Sequence, residues 1–177
     1  SDMWLATPGV DPLSLQFEFD KVYKLHEMLV WNYNVQFEPV LGFGLKDVTI
    51  EYSTDGEAWT VLGDIELAQA TARSDYEANN AVAFNGVPAQ HVRLTVNSGY
   101  GPLGQFGLSE VRFMFIPAQA REPQPADGAT GVEPNPVLDW RLGRDAVSHD
   151  VYLSTDEAAV ADGTALVDNV AERGYAP

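Results

Sequence analysis

The chain has 177 residues, enough for one domain or for one domain and part of another, and 45% of them are hydrophobic, which is a globular composition. Lys and Arg number 10 against 26 Asp and Glu, and the net charge of −16 argues against binding to nucleic acid or to anionic membranes. Cysteine is absent, which excludes disulfides and thiolate chemistry, and no run of about 18 apolar residues predicts membrane insertion.

Seven short segments have the apolar content of β-strands, and in residues 15–19 and 48–52 apolar side chains alternate with polar ones, which is the period of a half-buried strand. In chain order they are residues 15–19, 28–31, 48–52, 59–62, 81–84, 91–96 and 108–116. Gly, Pro and Asn clusters separate many of them, so the pattern predicts an all-β sandwich or barrel. Residues 65–72 are interpreted as a strand or a short turn.

The clearest pair is a predicted hairpin in which residues 48–52 and 59–62 are joined by Asp55 and Gly56. Gly takes the positive-φ position of such a turn at little steric cost. Trp59 restarts the apolar pattern after the turn, and we expect its indole in the core, together with those of Trp4 and Trp140.

A domain boundary is predicted near residue 118, where Pro117, Pro123 and Pro125 interrupt the periodicity. Two more alternating segments follow, residues 137–140 and 147–153. We therefore divide the chain into a β-sandwich over residues 1–117 and a linker with a short second β module over residues 118–177.

The hairpin also carries a family resemblance. Residues 52–60, Tyr-Ser-Thr-Asp-Gly-Glu-Ala-Trp-Thr, resemble the coagulation factor five/eight type C (discoidin) domain, and segments 15–20, 87–95 and 107–113 match other strands of that family in order. The resemblance covers about residues 3–117. It implies a jelly-roll β-sandwich of the galactose-binding-like kind found in bacterial carbohydrate-binding modules, and with it a secreted or cell-surface location.

A second resemblance lies behind the boundary. Residues 125–132, Pro-Ala-Asp-Gly-Ala-Thr-Gly-Val, followed by Asp-Val-Tyr-Leu at 150–153, resemble the opening of a bacterial fibronectin type III-like module. The segment is much shorter than the about 100 residues of an immunoglobulin-type sandwich. We therefore expect a partial module.

The first candidate site is a loop that follows the second predicted strand. It contains Trp31, Asn32, Tyr33, Asn34 and Glu38. Aromatic faces stack on the apolar sides of sugar rings, while amides and carboxylates bond the hydroxyl groups, so this loop has the side chains of a carbohydrate-binding site. The alternative is that the aromatic rings cap the core while the Asn side chains bond loop backbone.

A second candidate loop, residues 97–106, contains Asn97, Tyr100 and several Gly residues that permit close approach of a ligand. In the resembling family this loop lies near the first one, and we expect Tyr100 to be an aromatic platform; the alternative is an ordinary surface aromatic. Exposure of Trp31, Tyr33 and Tyr100 at one end would favour sugar binding, whereas their burial would favour a structural module.

Glu110 lies inside the last predicted strand. In the resembling family a Glu at this position helps to hold a structural Ca²⁺, so Glu110 is the candidate metal ligand. Ca²⁺ requires about six to eight oxygens, and the early loop that supplies most of them in the family has no counterpart before Trp4, so we expect an incomplete site. The alternative is a salt bridge to Arg93 or Arg112, or an outward-facing side chain.

These observations predict a non-catalytic carbohydrate-binding module of a larger secreted bacterial protein, with a poly- or oligosaccharide as its partner. No nucleophile elbow, phosphate loop or dinucleotide fingerprint is present, and a small sandwich seldom builds the cleft that two catalytic carboxylates need. The rival interpretation is a structural or adhesion module that contacts protein or spaces domains. Exposed strand edges further predict self-association.

Overall fold

The computed structural model describes residues 3–177. The chain divides into two compact units, Ser1–Phe115 and Ile116–Pro177, and each is described by itself. Most of the regular structure is antiparallel β-strand, which confirms the predicted all-β class. No helix in the described part of the chain is both long enough and apolar enough to cross a membrane.

The described residues of the first unit form a six-stranded antiparallel sheet and one short helix. In chain order the elements are β1 (Trp4–Ala6), β2 (Ser14–Asn32), α1 (Glu38–Leu41), β3 (Asp47–Ser53), β4 (Thr60–Glu66), β5 (Asn80–Val96) and β6 (Phe106–Phe115). Hydrogen-bonded neighbours follow the order β1-β6-β2-β5-β3-β4.

Two of these strands are much longer than predicted. β2 has 19 residues and β5 has 17. A straight strand of that length would measure about 60 Å, against a radius of gyration of about 13 Å for a unit of this size. Both strands therefore bend, and their mutual register shifts between Glu18 and Tyr23 and again between Leu25 and Glu27. The prediction of two separate strands in each region was wrong, because a bend in a continuous strand interrupts the sequence pattern as a turn does.

The bends fold the sheet into two layers. The first half of β2 pairs with the second half of β5 beside β3, whereas the second half of β2 pairs with β6. Phe113 of β6 contacts Phe17 and Phe19 of the opposite layer, with ring centroids 5.2 and 5.1 Å apart. Fully buried side chains such as Ile50 and Phe84 fill the space between the layers, and each contributes about 1.5–3 kcal/mol through burial.

The predicted hairpin between β3 and β4 is confirmed. Gly56 has a φ of 77°, the conformation for which Gly is suited. Ser53 Oγ accepts the N–H groups of Asp55 and Gly56 at 3.2 and 2.9 Å. The Asp55 carboxylate accepts those of Glu57 and Ala58, both at 2.9 Å. The turn is thus held by side-chain to backbone hydrogen bonds, as is typical of Asp and Ser in turns.

Trp59 is not part of the core, contrary to the prediction. Its indole N–H donates to the backbone oxygen of Gly56 at 3.1 Å. The guanidinium carbon of Arg93 lies 4.1 Å from the ring centroid, and Arg93 Nε is bonded to Glu51 at 2.8 Å. Trp59 stands immediately before β4 begins, so the alternation of the strand does not direct its side chain inwards.

The turn predicts a specific dependence of stability on pH. Hydrogen bonds from the N–H groups of Ala58 and Glu57, and then from Ser53, lower the pKa of Asp55 because they favour the charged carboxylate. A pKa that is lower in the folded state stabilises the fold above the unfolded pKa of about 3.9. This contribution is lost as the pH falls through the folded pKa.

We therefore expect Asp55→Asn to melt below wild type near neutral pH and to approach it in acid. Thermal melts of both proteins between about pH 2 and pH 7 measure this difference. A difference in melting temperature that stays constant over the whole range would contradict the assignment.

The second unit contains short strands in two separate sheets. Its elements are β7 (Arg121–Gln124), β8 (Asp139–Arg141), β9 (His149–Tyr152), α2 (Glu157–Ala161) and β10 (Leu166–Val170). β7 pairs with β8, and β9 pairs with β10. The predicted strands at residues 137–140 and 147–153 overlap β8 and β9, while β7 escaped prediction because it lacks apolar alternation. Trp140, expected in a core, is only partly buried, and its ring centroid is 5.8 Å from that of His149.

Candidate binding site

Three loops of the first unit meet at one end of the sandwich. They are residues 33–46, 67–79 and 97–105, and together we call them the loop end. The N–H of Lys46 donates to Ser98 O at 2.9 Å, that of Leu67 donates to Lys46 O at 2.8 Å, and that of Gly101 donates to Gly42 O at 2.8 Å. The first loop is therefore bonded to both of the others.

Asn32 holds the loop end together from the inside. Its side chain is 0% exposed. Its Oδ1 accepts the N–H groups of Tyr33 and Leu45, both at 2.9 Å. Its Nδ2 donates to the backbone oxygens of Leu45 and Ala68 at 2.7 and 2.9 Å. Protein backbone thus uses the full hydrogen-bonding capacity of the amide, and Asn32 does not reach the surface at which a ligand would bind.

Glu38 has a similar internal position. It is 0% exposed, and its two carboxyl oxygens accept the N–H groups of Phe43 and Gly44 at 3.1 and 2.8 Å. The amide of Gln69 donates to the backbone oxygen of Glu38 at 3.0 Å, which joins the second loop to the first. Glu38 therefore stabilises the loop from the inside. Neither Glu38 nor Asn32 is exposed to a ligand.

Neither of the two predicted tyrosines is exposed, since Tyr33 is buried and Tyr100 is partly buried. Tyr33 is 8% exposed, and its ring packs against that of Phe43 with the centroids 6.1 Å apart. The hydroxyl of Tyr100 donates to the backbone oxygen of Leu67 at 2.6 Å. Burial, assisted by the negative charge of Glu66, raises the pKa of Tyr100. Neither ring forms an exposed platform for a sugar.

Trp31 lies on the outer face of the sheet. Its neighbours Val30 and Asn32 are 0% exposed and point inwards, so the alternation of β2 directs the indole outwards. The guanidinium carbon of Arg112 is 4.8 Å from its ring centroid. Trp31, Tyr33 and Tyr100 therefore do not share one exposed surface. Shared exposure was expected for a sugar-binding site, so the positions of these three rings favour a structural module instead.

The remaining predicted residues make polar contacts near the surface. Asn34 Nδ2 donates to the backbone oxygen of Arg73 at 2.7 Å, which connects the loops 33–46 and 67–79. Asn97 is exposed, and its amide donates to Thr49 Oγ1 at 2.9 Å. The Oδ1 atom of Asn34 is buried, so Asn97 is the amide of the predicted set that is best placed for contact with a ligand.

Phe37 is an exposed aromatic residue of the loop end that the sequence analysis missed. Its side chain is 63% exposed, and it precedes α1 in the left-handed conformation, with φ 70° and ψ 15°. A bulky residue in this region costs about 1–3 kcal/mol and persists only where its surroundings impose it. Here the N–H groups of Val40 and Leu41 donate to Phe37 O at 2.9 and 3.0 Å. The available signal was an isolated aromatic outside any strand pattern, two residues before Pro39.

Tyr76, on the loop 67–79, was also missed. Its hydroxyl accepts the backbone N–H of Asn32 at 3.0 Å and donates to Asn79 Oδ1 at 2.7 Å. Burial raises the pKa of Tyr76, and the hydrogen bond from Asn32 opposes this shift. No local pattern marks this contact, because it joins residues far apart in the sequence.

Two aliphatic side chains of the loop end are exposed as well as Phe37. Val40 is 81% exposed and Leu103 is 60% exposed. The two loops that carry them are joined by the hydrogen bond between Gly101 and Gly42. The loop end therefore exposes one aromatic and two aliphatic side chains.

Glu110 lies exposed on β6, and its carboxylate is 2.6 Å from Arg112 Nε. This is the salt bridge to Arg112 that the sequence analysis gave as an alternative to a metal ligand. No group of three or more His, Cys, Asp or Glu residues is placed to hold a metal ion in the described part of the chain. The carboxylate of Glu110 is therefore paired with the guanidinium of Arg112.

A family model for the F5/8 type C domain matches residues 1–110. The chain therefore belongs to the F5/8 type C domain family. A comparison with curated proteins gave no match.

Solved structures with similar folds include modules and whole enzymes from Clostridium perfringens. The module CBM32-3 from a family 31 glycoside hydrolase is 23% identical, with a TM-score of 0.46 over 64% of this chain and 74% of that chain. The module CpGH89CBM32-5, in complex with GalNAc-β-1,3-galactose, is 16% identical, with a TM-score of 0.46 over 63% of this chain and 74% of that chain. A family 89 glycoside hydrolase is 14% identical, with a TM-score of 0.48 over 64% of this chain and 11% of that enzyme.

Proposed function

We propose that the first unit is a non-catalytic carbohydrate-binding module that holds an oligosaccharide at the loop end. Membership of the F5/8 type C family supports a binding role. The observation that carries the proposal is the exposed ring of Phe37, held in a strained conformation on a loop that is fixed from the inside. We further propose that the module belongs to a larger secreted bacterial protein, in which the second unit is part of a fibronectin type III-like module.

The chemistry around Phe37 suits a neutral sugar. An aromatic face stacks on the apolar C–H side of a sugar ring, and neighbouring amides bond its hydroxyl groups. Gln36, which is exposed on the same loop, supplies such an amide. The net charge of −16 disfavours anionic glycans through long-range repulsion. Backbone strain at an exposed residue is also typical of functional sites.

Replacement of Phe37 by Ala is expected to weaken binding strongly while the fold stays intact. Loss of an aromatic contact residue costs about 1–3 kcal/mol of binding free energy, a loss of affinity of about 5- to 150-fold. Little core is lost, because the side chain is 63% exposed. A glycan array with the wild-type protein identifies ligands, with GalNAc-β-1,3-galactose among the probes. Calorimetric titration then compares wild type, Phe37→Ala and the ring-retaining control Phe37→Tyr.

A Phe37→Ala protein that melts and binds like wild type would remove Phe37 from the site. The proposal would then lose its main support. Weak binding by Phe37→Tyr as well as by Phe37→Ala would point to a requirement for shape beyond an aromatic platform.

Phe37→Gly separates the binding role from the backbone strain. A residue with a Cβ loses about 1–2 kcal/mol in the left-handed conformation, whereas Gly adopts it without this cost. We therefore expect Phe37→Gly to be about 1 kcal/mol more stable than Phe37→Ala and equally poor at binding. Denaturant titrations of the two variants measure this difference, and equal stabilities would show that the loop does not impose the conformation.

The rival function is a structural or adhesion module that contacts protein. The exposed aliphatic side chains of Val40 and Leu103 favour it, because exposed apolar groups are typical of protein interaction sites. Absence of binding to every glycan on the array, from a protein that is folded by thermal melt, would support this rival and contradict the sugar proposal.

A further inference from the structure

A fourth loop of the first unit, residues 7–13, lies beside the loop end. It begins after Ala6 of β1, which pairs with the first residue of β6, where the loop 97–105 ends. It finishes at Leu13, whose backbone oxygen accepts the N–H of Val96 at 2.8 Å, immediately before the loop 97–105 begins. The loop 7–13 therefore starts and finishes beside the two ends of the loop 97–105.

The strand pairing sets the order of the loops across this end of the sandwich. Each loop crosses between the two layers, and loops that follow one another in the row belong to neighbouring strands. The order is 7–13, 97–105, 33–46 and 67–79. Neighbouring strands are about 4.8 Å apart, so two spacings, or about 10 Å, separate the loop 7–13 from the loop 33–46. One sugar ring does not extend over that distance.

The most exposed large apolar side chains of the described first unit lie on the first three loops of this row. They are Val10 at 104%, Val40 at 81%, Phe37 at 63% and Leu103 at 60%. On the strands of the same unit the exposure of such side chains reaches at most 59%, at Val61. Exposed apolar side chains that share one end of a domain are typical of an interaction site.

An exposed polar side chain accompanies the apolar one on each of the three loops. These polar residues are Asp11 on the loop 7–13, Asn97 on the loop 97–105 and Gln36 on the loop 33–46. Apolar groups contact the C–H face of a sugar ring, while polar groups bond its hydroxyls. The loop 67–79, all of which the structure describes, has no exposed large apolar side chain. The row of such side chains therefore ends at the loop that carries Phe37.

We propose that the glycan is an oligosaccharide that lies across three loops, with one ring on Phe37 and another at a second subsite formed by Val10 and Asp11. This inference rests on the proposed function, because it extends the sugar site at Phe37. The loop 97–105 lies between the two subsites and contacts the part of the ligand that joins them. A single sugar occupies the Phe37 subsite alone.

The loop 7–13 holds Val10 away from the rest of the unit. Pro8 and Pro12 have a fixed φ and restrict the loop on both sides of Val10. A restricted loop loses less conformational entropy when a ligand binds. Because the side chain of Val10 is fully exposed, it adds little to the stability of the fold. Its replacement therefore tests binding without disturbing folding.

The first test compares glycans of different length by calorimetric titration of the full chain. The probes are GalNAc-β-1,3-galactose with GalNAc alone, and the tightest glycan on the array shortened by one ring at a time. We expect the longest form of a binding glycan to bind at least about 10-fold more tightly than its single ring, because it buries a second apolar contact.

Val10→Ser should remove this gain. We expect it to bind the longest glycan about 10-fold more weakly than wild type, to bind the single ring as wild type does, and to melt at the same temperature. The matched control is Val61→Ser, which replaces an exposed valine on β4, away from the loop end. It should leave the affinities for both glycans unchanged, whereas Phe37→Ala should weaken both.

The methyl signals of Val10 provide a second measurement. In a carbon–proton NMR spectrum they are assigned by their loss in Val10→Ser. The oligosaccharide should shift them, and the single ring should not. The methyl signals of Val61 should stay in place with both ligands.

The outcomes separate this inference from the proposed function. Equal affinity for long and short glycans, or an equal loss for both in Val10→Ser, would overturn the second subsite and leave the site at Phe37 in place. Unshifted Val10 methyl signals with a bound oligosaccharide would also overturn it. Absence of binding to every glycan would overturn both the subsite and the proposed function.

Discussion

Asn32→Asp is expected to destabilise the first unit by about 3–5 kcal/mol. The two side chains have the same shape, but Asp has no N–H to donate. The backbone oxygens of Leu45 and Ala68, now 2.7 and 2.9 Å from Nδ2, would face a carboxyl oxygen in a site that is 0% exposed. A repulsive contact and two unsatisfied acceptors would then replace two hydrogen bonds.

The matched control is Asn97→Asp. Asn97 is exposed and makes one side-chain bond, to Thr49 Oγ1 at 2.9 Å. The same chemical change there should cost less than about 1 kcal/mol. Urea denaturation of the full chain, followed by tryptophan fluorescence, compares the two variants. Equal losses would show that the buried amide does not hold the loops.

The Asn32 variant should also loosen the loop end. Asn32 bonds the loops 33–46 and 67–79 through Leu45 and Ala68, and its backbone N–H donates to Tyr76. Loss of these bonds should increase hydrogen exchange across both loops under conditions in which most molecules remain folded. Unchanged exchange there would mean that other contacts, such as those of Glu38, are sufficient.

The parts of the fold that the sequence predicted are those determined by neighbouring residues. The turn at Asp55 and Gly56 depends on hydrogen bonds that span at most three residues, and it was confirmed. The continuity of β2 and β5 depends instead on pairing between residues far apart in the chain. A local pattern cannot distinguish a bent strand from two strands joined by a turn, because both interrupt the alternation.

The candidate site was harder to predict for the same reason. Asn32 and Asn34 are two residues apart and chemically identical, yet one is fully buried and the other lies near the surface. The alternation of β2 continues as far as Asn32 and directs its amide inwards, towards loops that are distant in sequence. Phe37 was missed because exposure and a left-handed backbone are consequences of how its loop is held.

Gly42→Ala should separate the two loops that frame the apolar part of the loop end. Gly42 has a φ of +66°, and a Cβ there would lie 2.3 Å from the backbone nitrogen of Gly101. That nitrogen donates to Gly42 O at 2.8 Å, so the clash falls on the bond that joins the loops. Backbone atoms cannot rotate away as a flexible side chain can.

Gly104→Ala is the control that separates steric clash from backbone conformation. Gly104 has a nearly identical φ of +64°, but a Cβ there would meet nothing within 4 Å. Gly104→Ala should therefore lower the free energy of unfolding by only about 1–2 kcal/mol, which is the cost of the left-handed conformation for a residue with a Cβ. Gly42→Ala should lower the free energy of unfolding by the same amount and by about 3 kcal/mol more, because its Cβ overpacks the contact.

Thermal and urea melts of both variants measure the stability difference, and titration with a glycan identified on the array measures its effect on the site. We expect Gly104→Ala to bind nearly as wild type and Gly42→Ala to lose binding, because separation of the loops displaces the segment that carries Phe37 and Val40 from the one that carries Leu103. Equal, small losses of stability in the two variants would contradict a rigid contact between the loops. Retained binding in a destabilised Gly42→Ala protein would show that the sugar site needs the first loop alone.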